Sequence, residues 1–136
     1  MKKLLFITLI LCHNFLHATE NKINLYELYK ELHANPELSY QEFETSEKLA
    51  LILENIGYEV TRNVGGNGVV ALLQNGEGKT VMLRADMDGL PVEEKTGASY
   101  ASKKKALNAD GKEVFTMHAC GHDVHMSVLI GAAEYL

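Results

Sequence analysis

The apolar residues of this chain change their spacing twice, and that pattern excludes an all-helical or an all-strand fold. Leu25, Leu28, Tyr29 and Leu32 recur at i, i+3, i+4 and i+7, which puts them on one side of a short amphipathic helix. Asn35-Pro36 ends it, because the residue before a proline is pushed out of the α region. Ser39-Tyr40-Gln41-Glu42 has the form of a capping box. The helix it opens runs to about Asn55 and buries Phe43, Leu49, Ala50, Leu53 and Ile56. Gly57 stands where a left-handed C-cap is wanted. Beyond it the period shortens. Residues 58–61, 69–74 and 80–85 are short, rich in β-branched or aliphatic side chains, and read as strands. Asn75-Gly76-Glu77-Gly78 is the turn between the last two. The unbroken run Val81-Met82-Leu83 predicts a strand covered on both faces. Asp110-Gly111 marks the tip of a surface hairpin that passes through the solvated Lys103-Lys104-Lys105. From Val124 the helical spacing returns through Val128, Leu129, Ala132 and Leu136. Helices and strands mixed in this order predict a layered α/β domain. The last helical pattern still runs at Glu134-Tyr135-Leu136 with no Gly, Pro or basic residue to end it, so the chain is expected to be a truncated part of a larger domain.

The first residues follow a different logic. Met1-Lys2-Lys3 is a short positive start, residues 4–11 carry no charge, and Leu16-His17-Ala18 ends in a small residue. This is the layout of a secretory signal peptide over residues 1–18. Its apolar run is too short for a bilayer, which needs about 20 residues. The expectation is an exported protein, periplasmic or secreted, without stable membrane insertion once the signal is removed. The whole chain has 136 residues, 46% of them hydrophobic and 23% charged, with a net charge of −5. That composition excludes collagen-like, disordered and polytopic membrane classes. It also leaves no basic footprint for nucleic acid. Two cysteines cannot build a disulfide framework. Cleavage after Ala18 would leave Cys120 as the only thiol in an oxidising compartment, where burial or a metal ion would protect it.

Chemistry concentrates in two stretches. Met117-His118-Ala119-Cys120-Gly121-His122-Asp123-Val124-His125 holds three imidazoles, a thiol and a carboxylate. Thiolate and neutral imidazole are preferred ligands of zinc and similar ions. Cys120 and His122 would point about 200° apart on a helix and could not share an ion there. Across an extended Gly121 their donors can converge, which places them on a loop just before the last helix. The helix N-terminus favours Cys120 as thiolate, and His122 and His125 can share the first turn's face. The second stretch, Arg84-Ala85-Asp86-Met87-Asp88-Gly89-Leu90-Pro91, follows the most apolar strand, where open α/β sheets build their sites. Asp86 and Asp88 could bind a metal directly, accept the second N–H of a ligating histidine, or merely cap an Asx turn. Gly76-Glu77-Gly78-Lys79-Thr80 ends like a phosphate loop. Its first required glycine would fall at Leu73, so it is a turn instead.

Leu32-His33-Ala34-Asn35-Pro36-Glu37-Leu38-Ser39 with Glu42, then the Arg84–Pro91 stretch, then Met117 to His125, occur in the order seen in one family. The chain resembles the N-acyl-amino-acid amidohydrolases, which include hippurate hydrolase and the auxin-conjugate amidohydrolases and are relatives of the dizinc carboxypeptidases. The resemblance covers residues 25–136, about the first third of a member. It implies that residues 19–136 are the N-terminal part of a zinc-peptidase-like layered α/β catalytic domain, with the lid domain absent. It implies hydrolysis of an amide bond in N-acyl amino acids or small peptides, with two divalent ions, zinc or manganese, at the complete site. Cys120 and His122 match metal ligands. Asp88 matches an acid that orients a metal-bound group, and Asp86 stands where the carboxypeptidase relatives have a histidine ligand. Asp123 and His125 fall at the pocket edge. The family's general base and further ligands follow downstream of the matched stretch. No catalytic residue is therefore assigned here, and the chain alone is expected to be inactive unless a complementing C-terminal fragment joins it. The alternative is a non-catalytic exported metal-binding or remnant protein.

Overall fold

Local chemistry sets the helix ends. The computed structural model describes residues 22–136, and the expected signal peptide lies outside them. Asn24 opens α1 (Leu25–Ala34) by accepting a hydrogen bond from the Glu27 N–H, which satisfies one of the donors a helix start leaves unpaired. α2 (Phe43–Asn55) begins differently from expectation. Ser39 and Glu42 form no capping box. Both oxygens of Glu37 accept instead from the Glu44 and Thr45 amides, at 3.1 and 2.7 Å. An ionised carboxylate is the stronger acceptor and suits the positive helix end, while Glu42 turns to the Asn67 side chain. Phe43, at the first position of α2, is 64% exposed rather than buried. At the other end Gly57, with φ +97°, closes a Schellman motif: Tyr58 N–H donates to Leu53 O and Gly57 N–H to Glu54 O.

Two antiparallel hairpins follow. β1 (Glu59–Val64) pairs with β2 (Gly68–Leu72) through a register irregularity after Thr61. β3 (Lys105–Leu107) pairs with β4 (Glu113–Phe115), and the Asn108–Lys112 turn between them contains the expected Asp110-Gly111. The third expected strand does not form. Residues 79–88 have no assigned strand partner among the described residues, and Val81 and Met82 are 81% and 83% exposed. Their apolar run shows the composition of a covered strand without the cover.

The core is built by the helices. α3 (His122–Tyr135) packs on α1 and α2, and α2 packs in turn on the β1–β2 hairpin. Leu28 and Leu32 of α1, Leu49 and Leu53 of α2, and Met126, Ile130 and Ala133 of α3 form one cluster. Full burial of side chains such as Met126 and Ile130 contributes about 1.5–3 kcal/mol each. The result is an α/β mix in which the helices carry most of the buried surface. No helix among the described residues is long and apolar enough to cross a membrane.

Candidate metal centre

Three chain segments meet at Gly89, and their meeting brings the two chemical stretches together. Gly89 N–H donates to Glu37 O at 2.6 Å, and Leu90 and Met117 exchange backbone hydrogen bonds at 2.8 and 3.0 Å. A Cβ on residue 89 would stand 2.8 Å from Pro36 Cβ, so only glycine admits this approach. Thr116 ties the same place from below, its hydroxyl donating to Pro36 O. The Asn35-Pro36-Glu37-Leu38 stretch therefore holds the site's scaffold in place as well as ending a helix.

The Cys120-Gly121-His122 stretch departs from the expected extended loop: Cys120 precedes α3 as expected, but His122 is already helical and Gly121 is left-handed. Gly121 takes a left-handed conformation (φ +77°) as N-cap, His122 is the first helical residue, and Cys120 is a free, exposed thiol in the turn before it. His122 lies between the two aspartates. Its Nδ1 is 2.9 Å from Asp88 O and 3.1 Å from Asp88 Oδ1, and its Nε2 is 3.9 Å from Asp86 Oδ2. Nδ1 faces acceptors only, so it carries the hydrogen and donates to Asp88. Nε2 is left with a lone pair on the side of Asp86. An acceptor that holds one ring nitrogen, leaving the other free for an ion, is how proteins orient a ligating histidine. Asp86 also pairs with Arg84. The His125 ring lies 6.0 Å from that of His122, on the same turn.

Thiol, imidazole and carboxylate are the right donors for a zinc-like ion. Among the described residues, however, no group of three or more His, Cys, Asp or Glu is arranged to hold one. The fit is partial: an oriented imidazole, a neighbouring thiol and two acids, without a closed ligand set.

Behind the loop lies a network that the sequence did not announce. Asp123 is buried, and its Oδ2 accepts from His33 Nδ1 at 2.6 Å. His33 Nε2 donates to Glu94 Oε1 at 3.0 Å, and the Glu94 side chain is fully buried. Glu94 also accepts from the Thr96 hydroxyl and the Ser102 amide. Burial pulls the His33 pKa down, but the hydrogen bonds to Glu94 and Asp123 outweigh it and hold the pKa above 6.5. Burial likewise pushes Glu94 up, and its bonds to Thr96, His33 and Ser102 bring it below 4.5. The rings of Tyr29 and Tyr100 flank His33 at 5.7 and 5.3 Å. A hydrogen bond with Tyr100 pushes the Tyr29 phenol up to about 12. His118 is buried with neither ring nitrogen partnered among the described residues, and burial pushes its pKa below the usual 6.5. His33 had one visible cue, its place beside Leu32 on the buried arc of α1. Glu94 had none.

Known proteins agree with this architecture. Residues 82–136 match Peptidase family M20/M25/M40. The chain is 45% identical over 112 residues to thermostable carboxypeptidase 2 of Saccharolobus solfataricus, covering 81% of this chain and 26% of that protein. It is 44% identical to the hippurate hydrolase of Campylobacter jejuni over 78% of this chain and 26% of that one. With the N-acetyl-L-cysteine deacetylase of Bacillus subtilis it shares 41% identity over 89% and 29% of the two chains. The crystal structure of the B. subtilis YXEP protein, described as a dinuclear metal binding peptidase from the M20 family, superposes with a TM-score of 0.69 at 37% identity. That match covers 82% of this chain and 29% of that one. Over the matched residues, sequence and fold are thus similar to those of the M20 peptidases and amidohydrolases. It is similar to carboxypeptidase, hippurate hydrolase and deacetylase alike, and it spans about a quarter of the length of the curated relatives it matches.

Proposed function

We propose that this chain supplies the Cys120–His122 part of a metal-dependent amidohydrolase that cleaves the amide bond of N-acyl amino acids or small peptides. The observation that carries the reading is His122, held by Asp88 with Nε2 free beside Asp86 and two residues from Cys120 in sequence. Cys120 and His122 would hold a divalent ion, zinc or manganese. Asp88 would fix the imidazole, Asp86 would serve as a further ligand or acceptor, and His125 would border the pocket, while Asp123 lies buried behind the loop. When bound, such an ion supplies Lewis-acid activation of the amide carbonyl and the attacking water. The relatives' names, hippurate hydrolase and N-acetyl-L-cysteine deacetylase, support a small acylated amino acid as substrate.

The chain by itself is inactive in this reading, since a catalytic site needs three protein ligands and the described residues arrange no such set. The exposed Val81 and Met82 support a working form in which further polypeptide pairs with residues 79–88. Residues 1–18 direct export in the same proposal. The test is direct. The purified chain is dialysed against zinc or manganese, its retained metal is measured, and an N-acyl amino acid is then added. Retention that falls on Cys120→Ala or His122→Ala, without turnover, is expected. Metal retained equally by both variants, or turnover that Cys120→Ala abolishes, contradicts the corresponding half of the reading.

A further inference from the structure

We infer that Glu94, His33 and Asp123 form a buried positioning chain that holds the first turn of α3 so that Cys120 and His122 face one ion. The inference rests on the metal reading above and adds to it three residues that do not themselves bind the ion. They come from separate segments: His33 is 90 residues from Asp123 and 61 from Glu94 in sequence. Both His33 nitrogens point at carboxylate oxygens, so both carry hydrogens and the ring is an imidazolium between two anions. Burying three such groups is expensive, and well-packed apolar residues often serve stability as well or better. A geometric task gives a reason for keeping them.

That task is visible in the bonds of Asp123. One carboxylate oxygen accepts from His33, the other from the Val124 amide at 2.9 Å, and Ser127 Oγ donates to the Asp123 carbonyl. Residue 123 is thus fixed through backbone and side chain, one residue from His122 and three from Cys120. The far end is fixed equally well, because Glu94 is saturated by Thr96 and Ser102. Rotation of α3's first turn would break the 2.6 Å bond to His33. The chain therefore ties the metal loop to α1 and to the 94–102 segment.

Cobalt(II) reads this directly, since a thiolate charge-transfer band that Cys120→Ala removes reports Cys120, rather than Cys12, in the coordination sphere without any need for turnover. The full chain is titrated with cobalt alongside Glu94→Gln, His33→Gln and Leu53→Ala, a core truncation outside the network. Circular dichroism and thermal melts of each accompany the titrations. Loss of a group that orients a metal ligand typically weakens metal binding roughly 10- to 100-fold. We expect a loss of that size in Glu94→Gln and His33→Gln with helix content kept, while Leu53→Ala melts earlier but binds like the parent. Unchanged affinity in Glu94→Gln overturns the inference, as does an equal loss in Leu53→Ala. If one network variant unfolds, the other decides. If both unfold, the network belongs to folding and the inference fails. A parent chain that gives no cobalt band removes the metal reading itself, whereas a parental band that survives both substitutions removes only the positioning chain.

Discussion

Gly89→Ala puts a single methyl where three segments touch, and the surrounding distances set its cost. The new Cβ would lie 2.8 Å from Pro36 Cβ and 3.3 Å from the carbonyl oxygens of Glu37 and Met117. Carbon atoms rest at about 3.5–4.0 Å from one another, so the first contact is short by about 1 Å. The obstacle is a proline ring carbon, which has no rotamer to yield. Gly89 is not among the residues with left-handed backbone, so the cost is steric. Overpacking of this kind costs about 1–3 kcal/mol, and each kcal/mol lowers Tm by roughly 4 °C in a domain of this size. Thermal melts of Gly89→Ala, Pro36→Gly and the double variant form the assay. The single alanine should melt earlier, and its penalty should shrink by about 1 kcal/mol or more when Pro36 has lost its Cβ, as expected for groups in contact. Equal penalties in both backgrounds would refute the reasoning. So would an alanine variant that melts with the parent.

Gly131→Ala is the informative contrast. Its added Cβ meets Leu25 Cδ1 at 2.6 Å, but that atom is the end of a flexible side chain, and alanine favours the helix by about 1 kcal/mol. Melts should show a change within about 1 kcal/mol, and a loss as large as that of Gly89→Ala would contradict the distinction. Glu37→Ala removes both side-chain bonds at the start of α2 and should cost about 0.5–2 kcal/mol in urea titration, the range for loss of a helix cap. His33→Gln should change how stability depends on pH. Its folded pKa is raised, so the imidazolium's contribution is full below 6.5 and fades as pH climbs through the folded value. Glu94 is lowered, so its contribution is full above 4.5 and fades as pH falls through its folded value. The advantage of the parent over His33→Gln should therefore be greatest between pH 4.5 and 6.5 and decline on both sides in urea titrations. An advantage independent of pH would refute the charged network.

Much of this arrangement was legible from residue spacing because it is local. The amphipathic stripes gave α1 and α2, Gly57 marked a Schellman end, and the Cys120-Gly121-His122 spacing placed the thiol just ahead of α3. The carboxylates at Asp86 and Asp88 were readable as partners of a ligating histidine, and both do face His122. What escaped was long-range. Glu37 caps α2 because the chain turns back at Pro36, which no local box encodes. Glu94 lies in a stretch without periodicity, and only the folded chain shows its carboxylate buried against His33. Val81-Met82-Leu83 has the composition of a buried strand, yet composition cannot supply a neighbour for it to pair with. Phe43 sits at a helix start, where the helical wheel reads it as core while the chain's entry angle leaves it in solvent.

The account turns on whether Cys120 and His122 grip the same ion. Alkylation of the full chain, with and without zinc, followed by peptide mass mapping, measures this with Cys12 as the reference thiol. The account predicts that zinc slows modification of Cys120 but not of Cys12, and that His122→Ala abolishes the protection. Equal rates at Cys120 with and without zinc, or protection that persists in His122→Ala, would contradict it.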